Sequence, residues 1–169
     1  MRVTFASAIA ADAGEITALR NAVSDDLTTS HGRGPWSRHC TVRGVLYDRC
    51  HSHVFVARSG GRLVATLVLA HKKPWAIDRS HFTQLQRPLY LLSMAVSLDL
   101  QRRGIGRSCL DHAITAAREL LADAIFLDAF DAKAGAGEFY RQCGFREVGR
   151  AVYRGVPLIY FEQLIVRTT

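Results

Sequence analysis

The segment between Leu89 and Leu121 constrains the fold more than any other. A nearly continuous apolar run, Leu89-Tyr90-Leu91-Leu92-Ser93-Met94-Ala95-Val96, reads as a buried strand. It passes through Ser97-Leu98-Asp99-Leu100-Gln101-Arg102-Arg103-Gly104-Ile105-Gly106-Arg107 into a helical pattern from Ser108 to Leu121. There Cys109, Leu110, Ala113, Ile114, Ala117, Leu120 and Leu121 recur at spacings of three and four, leaving Arg107, Asp111, Arg118 and Glu119 to solvent. Gly104 and Gly106 carry no Cβ, so the backbone between strand and helix can turn sharply and approach a ligand closely. The first amides of such a helix have no intrahelical partner and point outward from the positive end of the macrodipole. An anion held there gains about 0.3–2 kcal/mol from the dipole, besides its hydrogen bonds. The turn reads as a phosphate cradle suited to a pyrophosphate.

The remaining chain supplies elements around this unit. Val3 to Ile9 has the β-branched and aromatic character of a first strand. Asp12-Ala13-Gly14-Glu15 has the spacing of a capping box, and Ile16, Leu19, Ala22 and Val23 give the following helix one apolar face that weakens near Asp25 and Asp26. His31-Gly32-Arg33-Gly34-Pro35-Trp36 is a loop signal, and a short second helix is expected over residues 38–50. Val54–Ala57 and Leu63–Leu69 form two strands joined across Ser59-Gly60-Gly61 as a hairpin. Residues 71–88, with His71, Lys72, Lys73, Pro74, Trp75, His81 and Pro88, exceed an ordinary connection and suggest a binding loop or lid. Ala124 to Ala129 is another buried strand, Lys133 to Gln142 a small-residue helix ended by Gly144, and Phe145 to Val166 a terminal hairpin turning at Tyr153-Arg154-Gly155-Val156-Pro157.

Composition narrows the function classes. At 169 residues and 49% hydrophobic content, the chain can bury one substantial core, so a single domain over residues 1–169 is expected. No apolar run reaches the ~18 residues of a bilayer span and no signal-peptide core follows Met1, which points to a cytoplasmic protein. Cys40, Cys50, Cys109 and Cys143 form no C-x-x-C pair and the seven histidines no H-E-x-x-H motif, so reduced thiols and no metal are expected. The net charge of +7 favours an anionic partner such as a polyphosphate cofactor, nucleic acid or an acidic surface. The cations are dispersed and not interleaved with aromatic residues, which disfavours nucleic acid.

Two motifs in order carry a family resemblance: Gln101-Arg102-Arg103-Gly104-Ile105-Gly106 matches Q/R-x-x-G-x-G/A, and Phe139-Tyr140 with Gly144-Phe145 matches an aromatic-Tyr-x-x-x-Gly-Phe helix ending. Over residues 89–150 the chain resembles the GNAT superfamily of N-acetyltransferases. The resemblance implies an α/β (α+β) fold, with a mixed six- to seven-stranded sheet splayed between the fourth and fifth strands and about four flanking helices. It implies acetyl-CoA as co-substrate, its pyrophosphate on the backbone of Gln101, Arg102, Arg103, Gly104, Ile105, Gly106 and Arg107, with Ser108 close behind. Met94, Ala95 and Val96 would lie along the pantetheine arm, which pairs as an added pseudo-strand. Tyr140 matches the family's general acid for the departing thiolate.

The activity so implied is transfer of an acetyl group to a primary amine of a small-molecule acceptor, by direct attack in a ternary complex. The chain departs from the family pattern at two points. Many relatives carry a carboxylate base on the fourth strand, where the spacing here gives Tyr90 and no Asp or Glu lies between Leu89 and Val96. A water chain, a backbone carbonyl or a loop group such as His71, Asp78 or His81 is left to take that role. Lys133 stands where the family often has Asn, and a lysine there could meet a cofactor phosphate. The missing carboxylate makes a catalytically weak coenzyme A sensor or structural module the alternative to an enzyme. Trp36 and Trp75 read first as loop anchors, Asp128 as a polar face residue of the fifth strand, and Lys72-Lys73 as a solvated pair. The basic loops suit an acceptor with a carboxylate or phosphate near its amine, and a homodimer stays open beside a monomer.

Overall fold

In the computed structural model, which describes residues 1–167, strands and helices follow the expected order with shifted ends. They are β1 (Thr4–Ser7), α1 (Ala13–His31), α2 (Val42–His51), β2 (His53–Ser59), β3 (Arg62–Ala70), β4 (Pro88–Val96), α3 (Ile105–Glu119), β5 (Ala124–Phe130), α4 (Gly137–Gln142), β6 (Arg146–Tyr153) and β7 (Val156–Leu164). The sheet has seven strands in the order β1-β2-β3-β4-β5-β7-β6. It is mixed: β4 and β5 are parallel, whereas β1–β2, β2–β3, β5–β7 and β6–β7 are antiparallel. Contacts divide the chain into two units, Met1–Ala70 with Leu92–His112, and His71–Leu91 with the chain from Ala113 onward.

In the first unit, α1 and α2 cover β2 and β3 through Ile16, Val45, Val54, Val56, Leu63 and Val68, all buried. Gly60 (φ 57°) and Gly61 (φ 82°) make the two-residue hairpin turn that the strand twist favours. The expected capping box at Asp12 does not form. Asp12 has helical backbone angles and no capping bond; its carboxylate instead accepts from the Ile9 amide at 2.8 Å and pairs with Arg58 at 2.7 Å. Glu15 joins the same guanidinium at 3.0 Å, so the two acids clamp the start of α1 to β2. The helix runs on past Asp25 and Asp26 to His31, where Gly32 at φ 78° ends it. Trp36 is an anchor, as expected: its indole donates to the Gly32 carbonyl at 2.9 Å and its own carbonyl accepts from Ser24 at 2.6 Å. Thr41, accepting from the Gly44 amide at 3.1 Å, starts α2 later than residue 38.

In the second unit, the long β3–β4 connection is pinned by its own apolar residues. Ile77 and Phe82 are buried with Tyr90, Phe126, Leu158 and Tyr160, and the phenol of Tyr160 donates to the Ala76 carbonyl while accepting from the Asp78 amide. Glu162 of β7, 1% exposed, accepts from the Thr83 amide (2.9 Å) and hydroxyl (2.7 Å) and pairs with Arg146. The connection is thereby part of a core instead of a lid. The expected helix over residues 133–142 shortens to Gly137–Gln142. Gly135 lies so close to the chain that a Cβ would stand 1.8 Å from the Phe130 carbonyl oxygen, and residues 131–136 form a tight turn that delays the helix. A Cβ on Gly137 would press Ile159 at 3.3 Å, which shows how closely α4 lies on β7. Arg154 (φ 48°) and Gly155 (φ 79°) turn β6 into β7 with Tyr153 opposite Val156.

Candidate active site

The cradle in the first unit is built by β4, a short 3₁₀ turn over Leu98–Leu100, and the start of α3. Ser97 leaves β4 with its amide on the Val64 carbonyl at 2.8 Å, and Arg62 of β3 holds Asp99 through two parallel bonds of 2.8 Å each. Arg62 also donates to the Ser97 hydroxyl at 2.8 Å, and that hydroxyl donates to Asp99 at 2.6 Å. Hydrogen bonds from Arg62 and Ser97 hold the Asp99 carboxyl far below its ordinary range. Gln101 does not reach outward: its amide nitrogen donates to the Val96 carbonyl at 3.2 Å, closing the turn on β4.

Arg102 (φ 60°) and Gly104 (φ 83°) then carry the backbone through left-handed angles. Gly106 lies inside α3 and is not one of the left-handed residues, so Gly104 alone of the two glycines serves the sharp turn. The helix begins at Ile105, earlier than Ser108, because the Ser108 amide already bonds the Gly104 carbonyl at 3.0 Å. The amides of Ile105 and Gly106 precede that first helical bond and are the outward donors of the helix end. Ser108 turns its hydroxyl back to the Gly104 carbonyl at 3.2 Å. A cavity of about 480 Å³ opens here, lined by Phe5, Arg103, Gly104, Ile105 and Ser108 among others.

The parallel pairing of β4 and β5 covers only Pro88–Tyr90 against Ala124–Phe126. Beyond it, Leu91–Val96 of β4 and Leu127–Phe130 of β5 have no partner in that pairing. Within the bare part of β4, Ser93 takes φ 51°, a local kink in the strand, and Met94, Ala95 and Val96 follow it.

In the second unit, Tyr140 of α4 is 8% exposed, its ring 5.8 Å from those of Phe145 and Phe161 and 5.3 Å from Phe139. Phe161 is the register partner of Leu127, so Tyr140 stands on the Leu127 face of β5. Asp128 pairs with Tyr160 and therefore faces the other side, since successive side chains alternate. Burial pushes the Asp128 carboxyl up from its ordinary value, against a smaller lowering from a backbone hydrogen bond. A phenol and a carboxylate held above its ordinary pKa thus stand on opposite faces of β5, just past the end of its pairing with β4.

Residues 16–145 match the acetyltransferase (GNAT) family. The chain belongs to that family. GNAT enzymes take their acyl group from acetyl-CoA, and this chain is a member of an enzyme family of acyltransferases. Solved structures agree in fold. The ribosomal-protein-S18-alanine N-acetyltransferase from Escherichia coli superposes at TM-score 0.72 with 16% identity, over 99% of this chain and 97% of that one. A GNAT-family acetyltransferase from Streptococcus agalactiae gives 0.77 at 14% identity, covering 98% and 96%. The yncA protein of Salmonella typhimurium, solved with its cofactor acetyl-CoA, gives 0.71 at 16%, covering 98% and 95%. Among curated protein sequences nothing matches.

Set against the GNAT pattern, the other expected site residues separate clearly. Tyr90, at the position of the missing strand-four carboxylate, is 2% exposed and accepts from Arg79 at 3.2 Å inside the core. Asp78 caps a short helical turn through Ser80 at 2.9 Å, and that bond holds its carboxyl low, which suits a cap and not a base. His81 packs edge-on against Tyr160 at 5.3 Å. His71 lines a different cavity. Lys133 is exposed in the turn before α4, not on that helix, and Trp75 is 82% exposed, so it anchors nothing. Asp128 is a polar face residue of β5, as expected, and the lone carboxylate inside Phe126-Leu127-Asp128-Ala129-Phe130. Among the described residues no cluster of His, Cys, Asp or Glu could hold a metal, and no helix is long and apolar enough to cross a membrane. Burial pushes the Cys109 thiol up to about 12, which removes it as a nucleophile.

Proposed function

We propose that this chain is a cytoplasmic, single-domain acetyl-CoA-dependent N-acetyltransferase. It moves the acetyl group to a primary amine of a small acceptor by direct attack in a ternary complex. The observation that carries the reading is the left-handed turn at Gly104, set at the start of α3 beside a cavity that Arg103, Gly104, Ile105 and Ser108 help to line. The amides from Arg102 to Arg107 take the pyrophosphate, and the bare β4 residues Met94, Ala95 and Val96 offer backbone groups to the pantetheine arm. Gln101 and Ser108 serve by bracing the turn from within, and the exposed Lys133 is the candidate partner for a cofactor phosphate.

Acetyl transfer to an amine needs a proton removed from the nucleophile and one supplied to the leaving thiolate. Tyr140 supplies the second. Asp128, whose raised proton affinity makes it a stronger base than an ordinary aspartate, receives the first, directly or through one water. A carboxylate on β5 supplies a candidate base that β4 lacks, which supports the enzyme over a coenzyme A sensor. The test is thiol release from acetyl-CoA across a panel of primary amines, alongside thermal stabilisation by coenzyme A. Transfer to at least one amine supports the enzyme; stabilisation without transfer to any replaces it with a coenzyme A-binding module.

A further inference from the structure

The second unit contains a cavity of about 410 Å³ lined by the cations Lys73, Arg79 and Arg87, with His71, Gln86 and Tyr90 beside them and no carboxylate. It lies where the β3–β4 connection meets the start of β4 and the residues that follow α3, not at the helix start that bears the glycine turn. Its size falls in the range of small-molecule sites.

The cations are positioned, not merely nearby. Arg79 is fixed by the Tyr90 phenol at 3.2 Å, by the Leu85 carbonyl at 2.8 Å and by the Phe126 ring beneath it at 5.3 Å. Its Nε is buried with no hydrogen-bond partner, a vacancy that a buried donor carries at a cost. Lys73 donates to the carbonyls of Pro74 (3.0 Å) and Ile77 (2.7 Å), which fixes its ammonium and leaves the third N–H. The Arg87 guanidinium forms no ion pair among the described residues. The nearest acids are engaged elsewhere: Asp123 binds Arg167 at 2.7 Å and the Arg87 amide at 2.9 Å, and Asp78, which feels the Lys73 charge, caps Ser80.

Like charges gathered around a cavity repel one another unless an anion joins them. We propose that this cavity binds the oxyanion group, carboxylate or phosphate, of a small molecule. Arg79 and Lys73 are its fixed donors and Arg87 the arm that closes on it. The site is separate from the acetyl-donor cradle and does not depend on the acetyltransferase reading.

Inorganic phosphate and citrate, titrated against sodium chloride of equal ionic strength, test the proposal by ¹H–¹⁵N spectra of the Arg79 and Arg87 Nε–H groups. Site-specific resonances separate this cavity from any phosphate held at the start of α3. Saturable shifts at Arg79 and Arg87 are expected with one or both oxyanions; phosphate alone points to a phosphate ester and citrate alone to a carboxylate ligand. Lys73→Gln and Arg87→Gln should each weaken binding about tenfold, the loss of one charge-assisted hydrogen bond. Arg154→Gln, on the β6–β7 turn, should leave it unchanged. Shifts no larger than those from sodium chloride, or equal affinity in the Lys73 and Arg87 variants, overturn the proposal.

Discussion

Gly104→Ala separates what the cradle does for the fold from what it does for the ligand. A Cβ at Gly104 meets no heavy atom within 4 Å, so the substitution introduces no clash within the protein. Its cost to the fold is backbone strain alone: at φ 83° an L-residue loses about 1–2 kcal/mol relative to glycine. For a chain of this size that lowers the melting temperature by about 2–8 °C. The cost to binding has a different origin, because the methyl group stands in the open space beside the amides of Ile105 and Gly106. If a pyrophosphate seats there, at least one charge-assisted hydrogen bond is lost, worth about 1.5–3 kcal/mol. That loss weakens coenzyme A about 10- to 150-fold. Titration calorimetry with coenzyme A, beside melting curves without it, measures the two effects independently. S-acetylpantetheine, which lacks the pyrophosphate, is the internal control and should be used equally well by both proteins. A variant that melts lower yet binds coenzyme A within threefold of the parent refutes the cradle.

Three further outcomes follow from the site and its supports. Tyr140→Phe should lower kcat about 10²- to 10⁴-fold with KM for acetyl-CoA little changed, and thiol-release kinetics at saturating donor will show it; full turnover removes the acid role. Asp128→Asn should abolish the acidic limb of the pH–rate profile and also stabilise the protein at neutral pH. The sign follows from the raised carboxyl pKa: the stability of the protonated form is present below the unfolded value and lost as pH rises through the folded one, a loss that asparagine does not suffer. Melting curves that fall for Asp128→Asn above the carboxylate range would count against the burial assigned to it. Glu162→Gln should cost about 1.5–3 kcal/mol in urea unfolding, since Gln keeps part of the Thr83 contact and the exposed Arg146 turns to water. Burial pushes Glu162 up, but Arg146 and Thr83 outweigh it and leave the carboxyl low. Its stabilisation is therefore present above the unfolded pKa and fades as pH falls through the folded one, so parent and variant should converge in acid.

The strand–turn–helix unit was legible in the sequence because each part has its own local cause: an apolar run, a glycine, an amphipathic period. The hairpin at Gly60-Gly61 and the turn at Arg154-Gly155 were legible for the same reason, as left-handed positions require glycine or tolerate few alternatives. What escaped was decided by distant partners. Asp12 and Glu15 have the spacing of a capping box, yet Arg58 of β2 takes both carboxylates and no local rule could foresee it. Residues 71–88 read as a binding loop or lid from their length and charge. Ile77 and Phe82 bury in a core whose other members, Phe126, Leu158 and Tyr160, lie far along the chain. Small residues around Lys133 favour a helix, whereas Gly135 sits against the Phe130 carbonyl and forces a turn first.

Asp128 escaped for a reason that bears on the chemistry. A single carboxylate within a buried strand reads as a polar face residue, and strand alternation alone does not say which side faces a partner. The register with β7 resolves it: Leu127 opposite Phe161 and Asp128 opposite Tyr160 put the carboxylate and the Tyr140 ring on different faces of one strand. Pairing with β4 ends at Phe126, one residue before this pair, so Leu127 and Asp128 have no partner in that pairing. A slip of one residue in the β5–β7 register would place both groups on the same face and bury the carboxylate against Phe161. The bonds of Tyr160 to Ala76 and Asp78, which tie β7 to the connecting segment, help hold that register.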